Sequence, residues 1–187
     1  ASRQIVITGV GCVTSVGVGA QDHFEALLAG KSGIAKLPSW ADEYPCQVGS
    51  LVKDFDPAKW MDKRESRRQA RYTHLAMAST RIAVEDAKLD TSAVDKDRFG
   101  ILVGSGVGGV EFFEENCNKF EAAGGGGAGL KKVSPFLIPA LISNTASGII
   151  AIELGARGPN YGVVSACATG THAIGTAMDF IYKGQVE

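Results

Sequence analysis

An α/β layer architecture is the fold class that this 187-residue sequence predicts. Two observations carry it. Short apolar, β-branched runs alternate with longer stretches whose apolar residues recur at helical spacing, in the order β, α, α, β, α, α, β, α. The strand-like runs are apolar along most of their length, and strands of that kind need cover on both faces.

Residues 4–8 read as the first strand, leading into turn-rich segments at 9–11 and 14–17. Residues 20–29 read as a helix with Phe24, Leu27 and Leu28 on its inner face, stopped by Gly30 and Gly33. Residues 34–60 are irregular, punctuated by Pro38, Pro45 and Pro57. A long helix is expected over 66–88, with Leu75, Ser79, Ile82 and Leu89 as its buried stripe. Residues 98–103 form the next strand and enter Gly104-Ser-Gly-Val-Gly-Gly109, followed by a helix over 111–122. Residues 120–132 read as a glycine-rich surface loop, with 124–129 its most mobile part. Residues 135–155 hold another helix that offers Ile142, Ile149 and Ile150 for packing, and 157–159 turn. Residues 161–166 form the last strand. After Cys167, the residues Ala173, Ile174, Ala177, Met178 and Ile181 mark the last helix.

Composition narrows the function. Apolar residues make up 45%, charged residues 21%, and the formal net charge is −1, which gives no electrostatic reason to expect nucleic acid or an anionic membrane as partner. Cys12, Cys46, Cys117 and Cys167 form no CxxC pair and have no histidine cluster beside them, which argues against a metal site and a secreted disulfide framework. No apolar stretch approaches membrane-spanning length. The first strand begins almost at once, so a leader peptide is expected to be absent or already removed. The 24 glycines, mixed with β-branched residues, suggest tight turns and close backbone packing.

Cys167 is the most informative residue. It stands where a strand gives way to a helix, beside unpaired backbone N–H groups and the positive end of the helix dipole, both of which favour a thiolate. That is a place for a nucleophile. The alternative is a buried small hydrophobe. The glycines at 104, 106 and 109 satisfy G-x-G-x-x-G after a strand, but no strand precedes the acidic residue at the right offset, Glu121, so close backbone approach explains them better than a dinucleotide. Neither glycine-rich segment continues as a phosphate-binding P-loop. Arg64, Arg67, Arg68 and Arg71 share a helical face, which is either a solvated surface or a docking patch for an acidic protein or phosphate.

Four ordered segments resemble the N-terminal portion of a β-ketoacyl-[acyl carrier protein] synthase of the elongating type. They are Val6-Ile-Thr-Gly-Val-Gly-Cys-Val-Thr14, Gly104-Ser-Gly-Val-Gly-Gly109, Ser134-Pro-Phe-Leu-Ile-Pro139 with Asn144, and Gly158-Pro-Asn-Tyr161 through Ala166-Cys-Ala-Thr-Gly170. The resemblance implies the thiolase-like fold, of which residues 1–187 would be the incomplete N-terminal half of a five-layered α/β/α/β/α architecture. The catalytic histidines would lie in a C-terminal half absent from this sequence. It implies that Cys167 takes the acyl group, that Val107 lines the acyl pocket, and that Arg64, Arg67 and Arg68 receive acyl carrier protein. His172 matches a histidine with a structural role, and His23 and His74 are assigned no chemistry. No metal or redox cofactor is implied, since carrier protein brings its own phosphopantetheine. A homodimer through the strand at 161–166 is implied, together with the remaining half of the synthase. The bacterial cytoplasm or plastid stroma suits such an enzyme, the mitochondrial matrix less so. Polyketide-type ketosynthase, thiolase, inactive fragment and non-catalytic partner subunit are the competing readings. Retention of Cys167 argues against the partner subunit.

Overall fold

The computed structural model describes residues 4–187. The chain runs α1 (Ala20–Leu28), β1 (Ile34–Lys36), β2 (Val48–Ser50), α2 (Lys63–Ser66), α3 (Arg71–Asp86), β3 (Ile101–Gly104), α4 (Val110–Ala122), α5 (Gly126–Leu130), α6 (Leu137–Leu141), α7 (Thr145–Leu154), β4 (Asn160–Val163) and α8 (Thr169–Tyr182).

β3 and β4 pair in parallel, with Ile101 opposite Asn160 and Gly104 opposite Val163. Alternation along β3 sends Ile101 and Val103 into one cluster with Met77 of α3 and Ile150 of α7. Leu102 and its partner Tyr161 face the other way, where the Tyr161 ring stacks on Phe180 of α8 with centroids 5.6 Å apart. So α7 covers one face of the pair and α8 the other, with α3 packed on α7. This is the expected α/β layering.

α7 earns its central place by being small and apolar. Ala146, Ser147, Ile150 and Ala151 are buried, and short side chains let the helix lie close to the strands. Its C-terminus is closed twice. Gly155 takes the left-handed conformation at φ 69°, and the Ala156 N–H reaches back to the Ala151 carbonyl at 2.9 Å. The Lys96 ammonium donates to the Leu154 carbonyl at 2.7 Å, a cation on the negative end of the helix dipole.

Several sequence expectations are corrected. Residues 4–8 form no strand, because no ladder partner lies beside them among the described residues; Val10 N–H is instead bound by the Asp86 carboxylate at 2.8 Å. The face of α1 expected to be inner, Phe24, Leu27 and Leu28, is exposed, and only Ala26 is buried. Residues 34–60 contain an antiparallel pair, β1 with β2.

The helix expected over 66–88 is broken at 67–70. The Ser66 carbonyl, which would accept from the Ala70 N–H in a continuous helix, accepts instead from His74 Nε2 at 2.8 Å and from the Gln69 N–H at 3.2 Å. The buried stripe of α3 is Thr73, Met77 and Ala78 rather than the predicted set. The helix expected within 135–155 is two helices, α6 and α7, separated where Ile142 turns extended (ψ 138°) and its carbonyl accepts from the Tyr72 hydroxyl.

The expected surface loop at 120–132 holds the end of α4 and all of α5. There, Gly129 is buried against Phe120 so closely that a Cβ would stand 2.7 Å from the ring; packing overrides a glycine-rich composition. The last strand spans Asn160–Val163 instead of 161–166.

Ile150 is 1% exposed at the centre of the core. Ile150→Ala is expected to lower the unfolding free energy by about 2–5 kcal/mol, read from urea denaturation. A loss below about 1 kcal/mol would mean that the α7–β3 contact is not the core of the fold.

Candidate active site

The cysteine turn is built by its backbone. β4 ends at Val163, and Ser165 then has all three of its polar groups tied to residues downstream. Its N–H donates to Thr169 Oγ1 at 2.8 Å, its carbonyl accepts from the Ala168 N–H at 3.1 Å, and its hydroxyl bonds His172 Nδ1 at 2.7 Å. The next residue, Ala166, sits at φ 49°, a left-handed conformation that costs a non-glycine residue about 1–2 kcal/mol. Residues Ala166–Ala168 make one 3-10 turn, and α8 follows directly. Cys167 is therefore carried on a sharp strand-to-helix elbow at the positive end of a 14-residue helix. Its side chain is exposed and forms no disulfide. The sequence expectation of a strand–cysteine–helix junction holds, and the buried-hydrophobe alternative does not.

The glycine-rich turn at 104–109 lies at the same end of the strand pair. Gly104 is fixed by close approach: a Cβ there would stand 2.4 Å from Thr169 Cγ2. Gly109 is fixed likewise, with the Ala140 carbonyl 2.3 Å and Ala70 Cβ 2.7 Å from where its Cβ would be. Ser105 N–H continues the ladder to the Val163 carbonyl at 3.2 Å, and the Ser105 hydroxyl accepts from Gly108 N–H at 2.9 Å. These glycines admit backbone and side chain rather than a dinucleotide. Val107 is 66% exposed on the turn. Ligands of open parallel sheets bind at the carboxyl ends of the strands, and both Val107 and Cys167 follow such ends.

The arginines occupy a separate element. Arg64 and Arg67 are exposed. Arg68 is half-buried, 3.7 Å from Glu65 and with its guanidinium 4.8 Å above the Phe136 ring. Asp62 caps α2 by accepting from the Glu65 and Arg64 N–H groups, which hold its carboxyl below the usual carboxylate range. The link from this patch to the site is Ala70, which touches Gly109.

A cleft of about 300 Å³ beside the patch is lined by Arg67, Gln69, Arg71, His74 and Glu111. A cleft of about 650 Å³, lined by Trp60, Arg81, Lys88 and Glu153, contains none of the predicted site residues. Cys167 and Val107 stand on open surface, which explains why neither cleft encloses them.

Sequence reasoning missed Ser165 and Thr169. No capping pattern marks them: Thr169 Oγ1 accepts from the Ser165 N–H four residues back, and Ser-Ala-Cys-Ala-Thr is not a capping box. Of the histidines, His172 joins the elbow, His23 Nδ1 pairs with Thr14 Oγ1 at 2.9 Å, and His74 donates from Nε2 to the Ser66 carbonyl. Among the described residues no group of three or more His, Cys, Asp and Glu side chains gathers to hold a metal ion. No helix there is long and apolar enough to cross a membrane.

Fold and site together define an α/β protein that presents a cysteine where a parallel strand turns into a helix. The chain belongs to the β-ketoacyl synthase family, whose N-terminal domain matches residues 2–187. It is 39% identical over 180 residues to 3-oxoacyl-[acyl-carrier-protein] synthase 2 of Coxiella burnetii, covering 96% of this chain and 42% of that protein. It is 37% identical over 183 residues to the enzyme of the same name from Synechocystis sp., covering 97% and 43%. The ishigamide ketosynthase/chain length factor superposes on all of this chain and 46% of its own with a TM-score of 0.90 at 28% identity, consistent with the thiolase-like fold. The chain thus spans less than half the length of the relatives it matches.

His74 gives the local fold a pH signature. Burial pushes its imidazole below the ordinary value of 6.5, and the Ser66 bond only partly opposes that. Between the lowered folded value and 6.5 the unfolded chain binds the extra proton, so stability rises with pH through that window and is fully present above it. The melting temperature is expected to fall as pH drops below about 6.5, and His74→Gln should flatten that limb. An unchanged limb in the variant would remove His74 as its cause.

Proposed function

We propose that this chain is the nucleophile-bearing part of a 3-oxoacyl-[acyl carrier protein] synthase acting in fatty acid synthesis. The observation that carries the reading is the exposed Cys167 thiol on its elbow at the carboxyl end of β4. The first half-reaction is acyl transfer. The Cys167 thiolate attacks the carbonyl carbon of an acyl thioester, the carbon–sulfur bond to the carrier arm breaks, and the carrier thiol departs with a proton. The Cys167 backbone N–H is one donor for the tetrahedral oxyanion, and the second comes from the part of the synthase outside this chain. In the second half-reaction malonyl carrier protein loses carbon dioxide. The electron pair of that bond becomes an enolate, stabilised by histidines of the remaining half. Its carbon attacks the acyl–Cys167 carbonyl and expels the thiolate, giving a 3-oxoacyl chain two carbons longer.

The other residues take supporting parts in this reading. Val107, on the turn beside the strand ends, lines the acyl pocket. Arg64 and Arg67 are exposed cations suited to an acidic carrier-protein helix, and Arg68 supports them from above Phe136. The relatives at 37–39% identity carry acyl carrier protein in their names, which supports it as the partner here. A homodimer forms through the second edge of β4, which has no ladder partner among the described residues. The compartment we infer is the bacterial cytoplasm or plastid stroma, in keeping with a reduced thiol. A polyketide-type ketosynthase is the second reading, favoured by the 0.90 superposition on the ishigamide ketosynthase/chain length factor. It ranks second because that identity, 28%, is lower than the 37–39% to the 3-oxoacyl-[acyl-carrier-protein] synthases.

The test is condensation of an acyl and a malonyl carrier-protein thioester by the full natural chain that carries these residues. Cys167→Ala is expected to cut 3-oxoacyl formation by at least about 1000-fold. Arg67→Glu with Arg68→Glu is expected to raise KM for carrier protein about ten-fold with kcat held. Undiminished product from Cys167→Ala would overturn the reading, and so would a wild-type chain that makes none.

A further inference from the structure

We propose that Ser165 and His172 act as a positioning pair that sets the direction and reactivity of Cys167. The proposal rests on the reading of Cys167 as the acyl acceptor. The two residues lie on either side of the cysteine in sequence, and their side chains meet, Ser165 Oγ to His172 Nδ1 at 2.7 Å. Neither needs to touch the substrate for the effect. The residue between Ser165 and Cys167 is Ala166, held at φ 49°, a conformation a non-glycine residue keeps only when its surroundings impose it. The imposing contacts are visible. Thr169 Oγ1 accepts from Ser165 N–H at 2.8 Å, Ala168 N–H donates to the Ser165 carbonyl at 3.1 Å, and His172 holds the hydroxyl. Thr169 is 5% exposed and wedged against Gly104, so that brace is anchored to β3. The Ser165–His172 bond, in contrast, is at the exposed surface, between residues that flank the exposed Cys167 in sequence.

His172 belongs to the first turns of α8, and its backbone is fixed there, its carbonyl accepting from Thr176 Oγ1 at 2.8 Å. The ring thus hangs from a fixed stretch of helix. Without it the Ser165 side keeps two of its three ties, the chain still turns, and the elbow gains freedom at Ala166. The thiol would then spend less time aimed at the incoming carbonyl. A misplacement of this size leaves binding of the carrier protein intact and slows the attack.

The experiment measures single-turnover acylation of Cys167 from an acyl carrier-protein thioester in the full natural chain, with KM for carrier protein taken in parallel. Ser165→Ala and His172→Ala are each expected to slow acylation at least five-fold, roughly, with KM unchanged. The double variant should be no slower than the slower single one, because both remove one bond. His172→Asn puts an amide where Nδ1 was and should recover most of the rate, an outcome that general loss of packing would not give. A smaller slowing in either single variant, slowing that multiplies in the double, a raised KM, or no recovery by His172→Asn would each overturn the proposal. Cys167→Ala separates the two claims. If it still accepts the acyl group, the reading of Cys167 fails, whatever the pair variants show.

Discussion

Thr169 is held on two sides at once, and the site depends on that. Its methyl group fills the space a side chain at Gly104 would need, which packs the first turn of α8 against the end of β3. Its hydroxyl binds the Ser165 N–H, which ends β4 and starts the turn into the helix. A single small β-branched residue therefore ties the ends of both parallel strands to one helix terminus. An alanine at 104 would push the helix away from the strand and carry the cysteine turn with it. A larger residue at 169 would do the same from the other direction.

The consequence, among the described residues, is a cysteine placed by the backbone of a braced turn. Ser165, Ala166 and Ala168 have no acid–base side chain beside Cys167, and the imidazole of His172 is bound to Ser165. What the fold supplies is an exposed thiol at the positive end of a helix, on a turn whose strain is held by hydrogen bonds. The glycine-rich turn beside it is joined through Gly109 to Ala70, at the start of α3 and just after the arginines of 64–68. Arginine patch, glycine-rich turn and cysteine elbow thus share one packed frame, though they come from three separate stretches of chain.

Much of this frame was legible in the sequence. The junction at Cys167, the strand before residue 104 and the helix over 111–122 follow from period and from small residues at the right places. What was not legible has physical causes. At the break before α3 the Ser66 carbonyl accepts from His74 and from the Gln69 N–H, contacts that no hydrophobic period records. α5 forms in a glycine-rich stretch because Phe120 of α4 packs onto Gly129. The apolar stripe of α1 was read as buried, yet Phe24, Leu27 and Leu28 are exposed. A stripe shows that a face can be covered, not which residues cover it, and nothing among the described residues does so. Ser165 was overlooked for a related reason. Its ties run through backbone groups that almost every residue has and through a hydroxyl whose partner, His172, lies seven residues on, and no short-range pattern records either.

The most direct test of the account is the position of the acyl group on the protein. The full natural chain is incubated with an acyl carrier-protein thioester, without malonyl donor, digested, and mapped by mass spectrometry. The acyl mass is expected on the peptide that contains Cys167 and on none that contains Cys12, Cys46 or Cys117. An acyl group on one of those three, or none on Cys167, would contradict the central claim that the elbow after β4 exists to present this thiol.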